Sequence, residues 1–148
     1  MYGEESDNVF FGTYEHSVDS KGRVFLPIKL TCKLGENFVV TRTLYDCVSV
    51  YRLEDWEKYV EKLEALPNYK YANLKRLIYS RTQVASLDSQ GRLLIPIKFR
   101  DDMNLKGDIV VVGNNNSIEL WAKDTWTSLE KQYEEEMANI EFGEEVDL

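Results

Sequence analysis

The chain contains few of the residues that form zinc sites or support thiol chemistry. Its 148 residues include two cysteines, Cys32 and Cys47, and a single histidine, His16. The cysteines fit neither a C-x-x-C motif nor a zinc-ligand spacing. We therefore predict no metal and no cofactor, with both thiols reduced and packed as small hydrophobic side chains. A nucleophilic cysteine activated by His16 stays open as an alternative.

The sequence also lacks a long hydrophobic run. No segment approaches the roughly 18 apolar residues that a membrane-spanning helix needs. The first eight residues are acidic, whereas a secretory signal begins with basic residues and continues with apolar ones. Apolar residues make up 43% of the chain, which is enough for a globular interior. We expect a soluble, cytoplasmic protein without membrane association, built as one domain or as two small halves that share a core.

Acidic residues outnumber basic ones over the whole chain, but the excess lies at its two ends. The formal net charge is −8, with 26 acidic and 18 basic residues. Residues 134–148 contain seven of the acidic residues and residues 1–8 contain three, and neither segment has a lysine or arginine. Without these ends, 16 acidic and 18 basic residues remain, so the body of the protein can carry a basic face. The acidic ends have two possible roles. They are simply solvated, or their negative charge repels DNA from surfaces of the protein that are not meant to bind it.

A repeated phrase dominates what is present. Residues 19–30 read D-S-K-G-R-V-F-L-P-I-K-L, and residues 88–99 read D-S-Q-G-R-L-L-I-P-I-K-F. Asp, Ser, Gly, Arg, Pro, Ile and Lys recur in place at a spacing of 69 residues, that is, 88 minus 19. A duplication of nearly half the chain predicts two similar half-units related by an approximate twofold axis.

The two copies predict the same local structure. An alternating strand leads to a four-residue turn with Asp first and Gly fourth, because Asp bonds the turn amides and Gly tolerates positive φ. A second strand forms a hairpin with the first, and a proline then ends it and begins a short helix. The predicted elements are strands at 13–18, 23–26, 81–87 and 92–95, turns at 19–22 and 88–91, and helices at 28–34 and 96–103.

The rest of the chain is predicted from its periodicity. The final helix, from Asp124, carries Trp126, Leu129, Tyr133, Met137 and Ile140 on one apolar stripe. The other elements are strands at 38–41 and 48–51, a hairpin of 109–112 with 118–121, and helices at 54–66 and 69–80. The resulting organisation is a first half-unit at 9–67, a linker helix at 68–80, a second half-unit at 81–133 and an acidic C-terminal extension at 134–148.

The duplicated turn is the candidate for chemistry. It has a single carboxylate, too few oxygen ligands for calcium, and it lacks the Gly-Lys-Ser/Thr ending of a phosphate-binding loop. Cations on a rigid turn suit nucleic acid, because arginine donates two hydrogen bonds to phosphate or guanine. On the residues alone, a purely structural turn, in which Asp19 caps the turn and pairs with an arginine such as Arg92 of the other copy, is favoured over DNA contact. The candidate DNA-contacting residues are Lys21, Arg23, Lys29, Arg92, Lys98 and Arg100, and the turn residues are Asp19, Gly22, Asp88 and Gly91.

The sequence resembles the MraZ family. The resemblance rests on V-F-F-G-T-Y-E-H-S-V-D-S-K-G-R, F-V-V-T-R, D-S-Q-G-R-L-L-I-P and V-V-V-G with I-E-L-W, and it extends over most of the chain. It implies an α+β fold in which two tandem AbrB-like swapped-hairpin half-units form a pseudo-twofold β-barrel core flanked by helices. It also implies a ring-shaped homo-oligomer that binds double-stranded DNA as a nucleoid-associated transcription regulator.

The same resemblance implies a target and a set of contacts. The expected target is a series of repeated promoter boxes upstream of the division and cell-wall gene cluster, which such proteins typically repress. Arg23 and Arg92 are expected to face DNA, supported by the four other cations. Thr31 departs from the family, which usually has arginine there, and residues 1–8 precede the usual start. The copies are expected to contact DNA unequally, because Lys21 of the first turn is Gln90 in the second, and Arg100 of the second helix is Thr31 in the first.

Two other classes of function stay open. One is an interaction or antitoxin-like scaffold without strong DNA binding, whose acidic C-terminal segment binds a basic partner. The other is an enzyme that uses His16 with Cys32 or Cys47, although we expect no enzymatic activity.

Overall fold

The computed structural model describes residues 8–148, so the acidic residues that precede Asn8 lie outside the described residues. Two copies of the same succession of elements are joined by one helix, as the repeat predicts. The strands in this part of the chain are β1 (Thr13–Val18), β2 (Arg23–Phe25), β3 (Phe38–Thr41), β4 (Val48–Arg52), β5 (Thr82–Ala85), β6 (Arg92–Leu94), β7 (Gly107–Asn114) and β8 (Ser117–Ala122). The helices are α1 (Ile28–Thr31), α2 (Leu53–Glu64), α3 (Asn68–Ser80), α4 (Ile97–Met103) and α5 (Lys123–Ala138).

The predicted α+β class and the order of the elements are confirmed. Pro27 and Pro96 each stand immediately before a short helix, where a missing N–H leaves no hydrogen bond unmade. The helix α1 ends at Thr31, earlier than expected, whereas α4 continues to Met103. In both copies the helix leads to an antiparallel pair of strands, β3 with β4 and β7 with β8.

The strands interlock the two copies. Six strands form one sheet in the order β1-β7-β8-β4-β3-β5, and β2 and β6 form a separate pair. The strand β1 of the first copy pairs with β7 of the second, and β5 of the second pairs with β3 of the first. The swapped pairing that the family resemblance implies is therefore present.

The register locates the pseudo-twofold axis. Val24 faces Leu93 in the β2–β6 pair, and Ser49 faces Glu119 in the β4–β8 pair. In each case a residue faces its own equivalent in the other copy, which happens only on a twofold axis between antiparallel strands. The sheet and the two-stranded pair thus share one axis, as the duplication predicts.

Two expectations about the strands were wrong. The predicted hairpins of 13–18 with 23–26 and of 81–87 with 92–95 do not form, because the chain crosses after each turn and β2 pairs with β6. The predicted barrel does not close either. Among residues 8–148, β1 and β5 are the two edges of the six-stranded sheet and do not pair with each other. The strand that follows each edge belongs to the β2–β6 pair, so it does not extend the sheet towards closure.

The apolar residues of the duplicated phrase form the core. Val24, Leu26 and Leu30 of the first copy and Leu93, Ile95 and Phe99 of the second are buried in one cluster with residues of β3, β4, β7 and β8. Truncating a buried leucine or isoleucine in such a cluster typically costs about 2–5 kcal/mol. The repeated apolar run therefore holds the two turns in fixed positions relative to the sheet.

The final helix carries its apolar stripe near the surface. A stripe of this kind is typical of a helix face that packs against a core, yet no residue of α5 is buried. Of the stripe, Tyr133 and Met137 are exposed, and Trp126 and Leu129 are partly covered. The predicted acidic extension at 134–148 begins inside this helix, whose last residue is Ala138. Within the described part of the chain, none of the helices is both long enough and apolar enough to cross a membrane.

Candidate nucleic-acid interface

The first turn holds its arginine through one aspartate. The Asp19 carboxylate accepts hydrogen bonds from the backbone N–H of Lys21 at 3.0 Å and of Arg23 at 2.9 Å. Its other oxygen accepts from Nε of Arg23 at 2.8 Å. Gly22 closes the turn at φ +84°, in the left-handed region that favours glycine. Backbone and side chain are thus fixed by the same carboxylate.

The second turn repeats this geometry. The Asp88 carboxylate accepts from the backbone N–H groups of Gln90 and Arg92, both at 2.9 Å, and from Nε of Arg92 at 2.8 Å. Gly91 has φ +82°. The conserved spacing of Asp, Gly and Arg in the two copies therefore encodes one local structure, whatever residue stands between them.

The aspartate–arginine pairing is local. The alternative in which Asp19 pairs with Arg92 across the twofold axis was wrong, because each aspartate pairs with the arginine four residues further along its own turn. The pairing uses only Nε, and within residues 8–148 neither arginine donates to a protein acceptor through Nη1 or Nη2. Each guanidinium therefore keeps terminal donors for an outside acceptor such as phosphate or a base edge.

The arginines also keep the aspartates ionised. The backbone N–H of Arg23 is the main cause that lowers the pKa of Asp19, and the Arg23 side chain adds to it. Arg92 lowers the pKa of Asp88 in the same way. Both carboxylates are therefore charged at neutral pH, and each holds the guanidinium of its arginine in a fixed orientation.

The β2–β6 pair brings the two arginines together. Arg23 faces Leu94, and Arg92 faces Phe25, so the arginines lie on neighbouring strands on either side of the pseudo-twofold axis. Their settings differ, since the Arg23 side chain is 30% exposed and the Arg92 side chain only 17%. The Arg92 guanidinium lies 5.9 Å from the centre of the Phe25 ring, a cation–π distance.

Arg100 occupies a position that sequence reasoning did not foresee. It donates from Nε to the backbone oxygen of Ile95 at 3.0 Å. A Cβ atom on Gly22 would lie 2.2 Å from Cζ of Arg100, so the guanidinium rests on the first turn. Ile95 joins this contact by donating its N–H to the Gly22 oxygen at 2.9 Å. The cation expected to contact DNA from the second copy thus supports the turn of the first, and its contact with DNA stays a prediction.

The three candidate lysines are exposed. Lys21 lies in the first turn, Lys29 lies in α1, and Lys98 lies at the equivalent place in α4. Among residues 8–148 none of them forms an ion pair with a carboxylate. They therefore add free positive charge to the turn and the helices that flank the two arginine-bearing strands.

Exposed apolar side chains accompany the arginines, and sequence reasoning missed them. Phe25 and Leu94 alternate with buried residues of β2 and β6 and so point away from the core. Ile28 and Ile97, the first residues of α1 and α4, are also exposed. The signal was the alternation itself, since a strand with a buried central residue must expose its neighbours.

The cysteines and the histidine do not form a catalytic pair. Burial raises the pKa of the Cys47 thiol to about 12, with the charge of Glu119 as a second cause, so its thiolate is rare at neutral pH. Cys32 is exposed, and its thiol is 3.6 Å from the backbone oxygen of Lys29. In the described part of the chain, His16 makes no hydrogen bond to either cysteine. Its burial lowers its pKa, and it pairs across the sheet with Ile109.

Comparison with known families identifies the duplication. The model of a family described as "MraZ protein, putative antitoxin-like" matches this chain twice, over residues 9–75 and 78–143. The two matches together cover both copies of the turn, which agrees with the family resemblance drawn from the motifs.

Individual relatives extend over nearly the same length. The transcriptional regulator MraZ of Lachnoclostridium phytofermentans is 41% identical over 138 residues, which cover 91% of this chain and 98% of the relative. That of Pediococcus pentosaceus is 40% identical over 134 residues, covering 89% and 94%. That of Natranaerobius thermophilus is 38% identical, again over 134 residues with 89% and 94% covered.

Proposed function

Since this chain belongs to the MraZ family, we propose that it is a DNA-binding transcription regulator and not an enzyme. One observation supports this most strongly. Two arginines on neighbouring strands are each fixed by an aspartate of their own turn and keep their terminal donors unused. Relatives that cover almost the whole chain are named as transcriptional regulators, which fits this chemistry.

The proposed contact divides into specific and positioning parts. Arg23 and Arg92 donate through Nη1 and Nη2 to guanine edges or phosphate oxygens, and the aspartates hold them in the orientation needed. Lys21, Lys29 and Lys98 contact phosphates, which fixes the register of the protein on the duplex without reading bases. Arg100 holds the first turn and adds positive charge beside it.

We propose that several copies of the protein act together. One protomer offers few cations, so its affinity for a single site is expected to be low. A ring of protomers presents identical turns along one face, and repeated promoter boxes then bind by avidity. Such a ring requires two different surfaces in contact. The exposed apolar stripe on α5, away from the two turns, is one surface of the kind that association buries.

The expected biological setting is that of the family resemblance. The protein would act in the cytoplasm on the nucleoid, bind repeated boxes upstream of the division and cell-wall gene cluster, and repress that cluster. The exposed acidic end of α5 would repel DNA and so restrict binding to the opposite, basic surface.

A scaffold is the second candidate. The acidic segment from Glu134 onwards is exposed over nearly its whole length, as a surface for a basic protein partner would be. Salt distinguishes the two functions, because DNA binding through many phosphates weakens steeply as the salt concentration rises. If a truncation after Tyr133 removes activity in cells while the protein binds no DNA at any salt concentration, the scaffold is the better account.

The direct test is a gel-shift titration on the DNA upstream of the protein's own gene. We expect Arg23→Ala and Arg92→Ala each to weaken binding by about 1–3 kcal/mol per contacted site, and the double variant to lose specific binding. Lys131→Ala is the matched control, since it removes one exposed positive charge from α5 and should leave the titration nearly unchanged. Unchanged binding by both arginine variants would contradict the proposal.

A further inference from the structure

A cavity lies on the outer side of the sheet, away from both turns. It has a volume of about 340 Å³, at the small end of the range for ligand pockets. The end of β7, the strand β8, the helix α5 and the loop before β4 surround it. Its lining combines four aromatic side chains with one carboxylate. The main lining residues are Tyr45, Asn114, Glu119, Trp121, Trp126 and Tyr133.

The carboxylate is buried without a countercharge. Glu119 is only 8% exposed. Its oxygens accept hydrogen bonds from two neutral groups, the Trp121 indole N–H at 3.2 Å and the Asn114 amide at 3.3 Å. Throughout residues 8–148, no lysine, arginine or histidine forms an ion pair with it. Burying a charge without an opposite charge is costly, so this site favours a cation.

The aromatic rings suit the same ligand. Trp121 and Trp126 are tilted by 51° with ring centres 5.7 Å apart, and both line the cavity. Tyr45 and Tyr133 line it as well, and the Glu119 charge is close enough to raise the pKa of Tyr133, although burial of that hydroxyl contributes more. The face of an indole or phenol ring attracts a cation, and the attraction increases when the cation loses water.

The equivalent region of the first copy lacks the carboxylate. Ser49 stands opposite Glu119 on the pseudo-twofold axis, so the equivalent position there carries no charge. Trp56 and Tyr59 stack on each other with ring centres 5.2 Å apart and an angle of 13°. Tyr51, the equivalent of Trp121, packs against both of these rings. Tyr59 lines a cavity of the first copy, but among the described residues no carboxylate lines that cavity, whereas the aromatic residues of the second copy surround Glu119.

We propose that this cavity binds an organic cation, a guanidinium or alkylammonium group, with Glu119 as its counter-ion and Trp121 and Trp126 as its aromatic walls. The cation belongs either to a free small molecule or to an arginine or lysine side chain of a second copy of this chain. The chemistry is the same in both cases, because only the charged end group enters the cavity. The proposal does not depend on DNA binding.

The test uses tryptophan fluorescence with two probes of nearly the same shape. Methylguanidinium carries a positive charge, and N-methylurea is its neutral counterpart. We expect a saturable change in emission with methylguanidinium and none with N-methylurea at the same concentrations. Glu119→Gln keeps the size and the acceptor oxygen but removes the charge, and it should weaken the response at least about tenfold. Glu130→Gln, an exposed position outside the cavity, is the matched control and should bind like the natural protein.

The mass in solution identifies the source of the cation. If Glu119→Gln has the same mass as the natural protein while losing methylguanidinium binding, the ligand is a free small molecule. If the variant dissociates, or if methylguanidinium dissociates the natural protein, the ligand is a side chain of a second copy. Trp126→Leu removes one wall at a partly exposed position and serves as a second variant should Glu119→Gln fail to fold. The proposal is overturned if methylguanidinium gives no saturable response and neither variant changes the mass.

Discussion

The two turns have the same internal structure but different surroundings. The turn at Gly22 is covered by the Arg100 guanidinium, whereas a Cβ on Gly91 would meet nothing within 4 Å. The cause is one difference between the copies. Arg100 of the second copy covers the turn of the first, but its equivalent in the first copy is Thr31, which has no guanidinium to cover the turn of the second. The hydrogen bonds of Asp19 and Asp88 agree to within about 0.1 Å all the same. The turn is therefore encoded by its own residues, and its environment is set by the other copy.

The largest effect is expected from alanine at the two glycines. Gly91→Ala should destabilise the protein by about 2 kcal/mol, because a Cβ is forced onto a left-handed backbone. Gly22→Ala should cost about 3 kcal/mol, since Arg100 must also move and lose its bond to Ile95. Denaturant unfolding of both variants measures the difference. Equal losses would show that the Arg100 contact does not distinguish the turns.

The next effect is on DNA binding. Arg23→Ala should weaken binding by about 2 kcal/mol and Arg92→Ala by about 1 kcal/mol, both within the usual range for such contacts. The reason is that Arg23 is more exposed and has Lys21 beside it, whereas Arg92 lies against Phe25. Titration of each variant on the same operator DNA checks the order. A greater loss for Arg92→Ala would reverse our ranking of the two copies.

A smaller effect is expected from making the copies alike. Arg100→Thr gives the second copy the residue of the first and should cost about 1 kcal/mol of stability through the lost Ile95 bond. In this background Gly22→Ala should cost no more than Gly91→Ala, because the group that it would displace is gone. A double-mutant cycle of Gly22→Ala with Arg100→Thr measures this coupling, expected at about 1 kcal/mol. A coupling near zero would mean that the two residues are independent.

The smallest effect concerns pH and should be the same for both turns. Arg23 and Arg92 lower the pKa of Asp19 and Asp88 below the ordinary value of 3.8. A carboxylate with a lowered pKa adds stability above its unfolded pKa, and this stability is lost as the pH falls through the folded pKa. Unfolding measured from neutral pH to below pH 3.8 should therefore show a smaller acid loss in an Asp19→Asn, Asp88→Asn double variant. Identical acid profiles for that variant and the natural protein would contradict the assignment.

Much of the fold could be predicted from the sequence because its signals are local. Asp and Gly at fixed places indicate the turn, and Pro27 and Pro96 indicate where the helices begin. The duplicated phrase indicates the twofold axis that the register confirms. The partner of β2 could not be predicted in this way, because a three-residue strand with one buried side chain fits several neighbours equally well. The predicted hairpin was wrong for this reason, whereas the closed barrel was an expectation from the family resemblance.

In the candidate site, too, local features could be predicted and contacts between distant segments could not. The residues of the turns follow from their spacing, but the Arg23–Asp19 pairing at four residues was missed in favour of a partner in the other copy. The support that Arg100 gives to Gly22 depends on how two distant segments cross, and no periodicity records that crossing. The exposure of the α5 stripe could not be predicted either. An apolar stripe indicates a helix face that packs against something, but it does not say whether the partner belongs to the same chain.

The exchange of strands between the copies has a consequence for synthesis on the ribosome. Thr13 pairs with Val112, so β1 meets its partner only after most of the chain has been made. The first copy emerges complete in sequence, yet its β3 still lacks its neighbour β5. Contacts so distant along the chain slow folding, because a long loop must close before they form. The second copy thus completes the fold of the first, and a nascent chain that stops after α3 presents an unpaired strand edge to its surroundings.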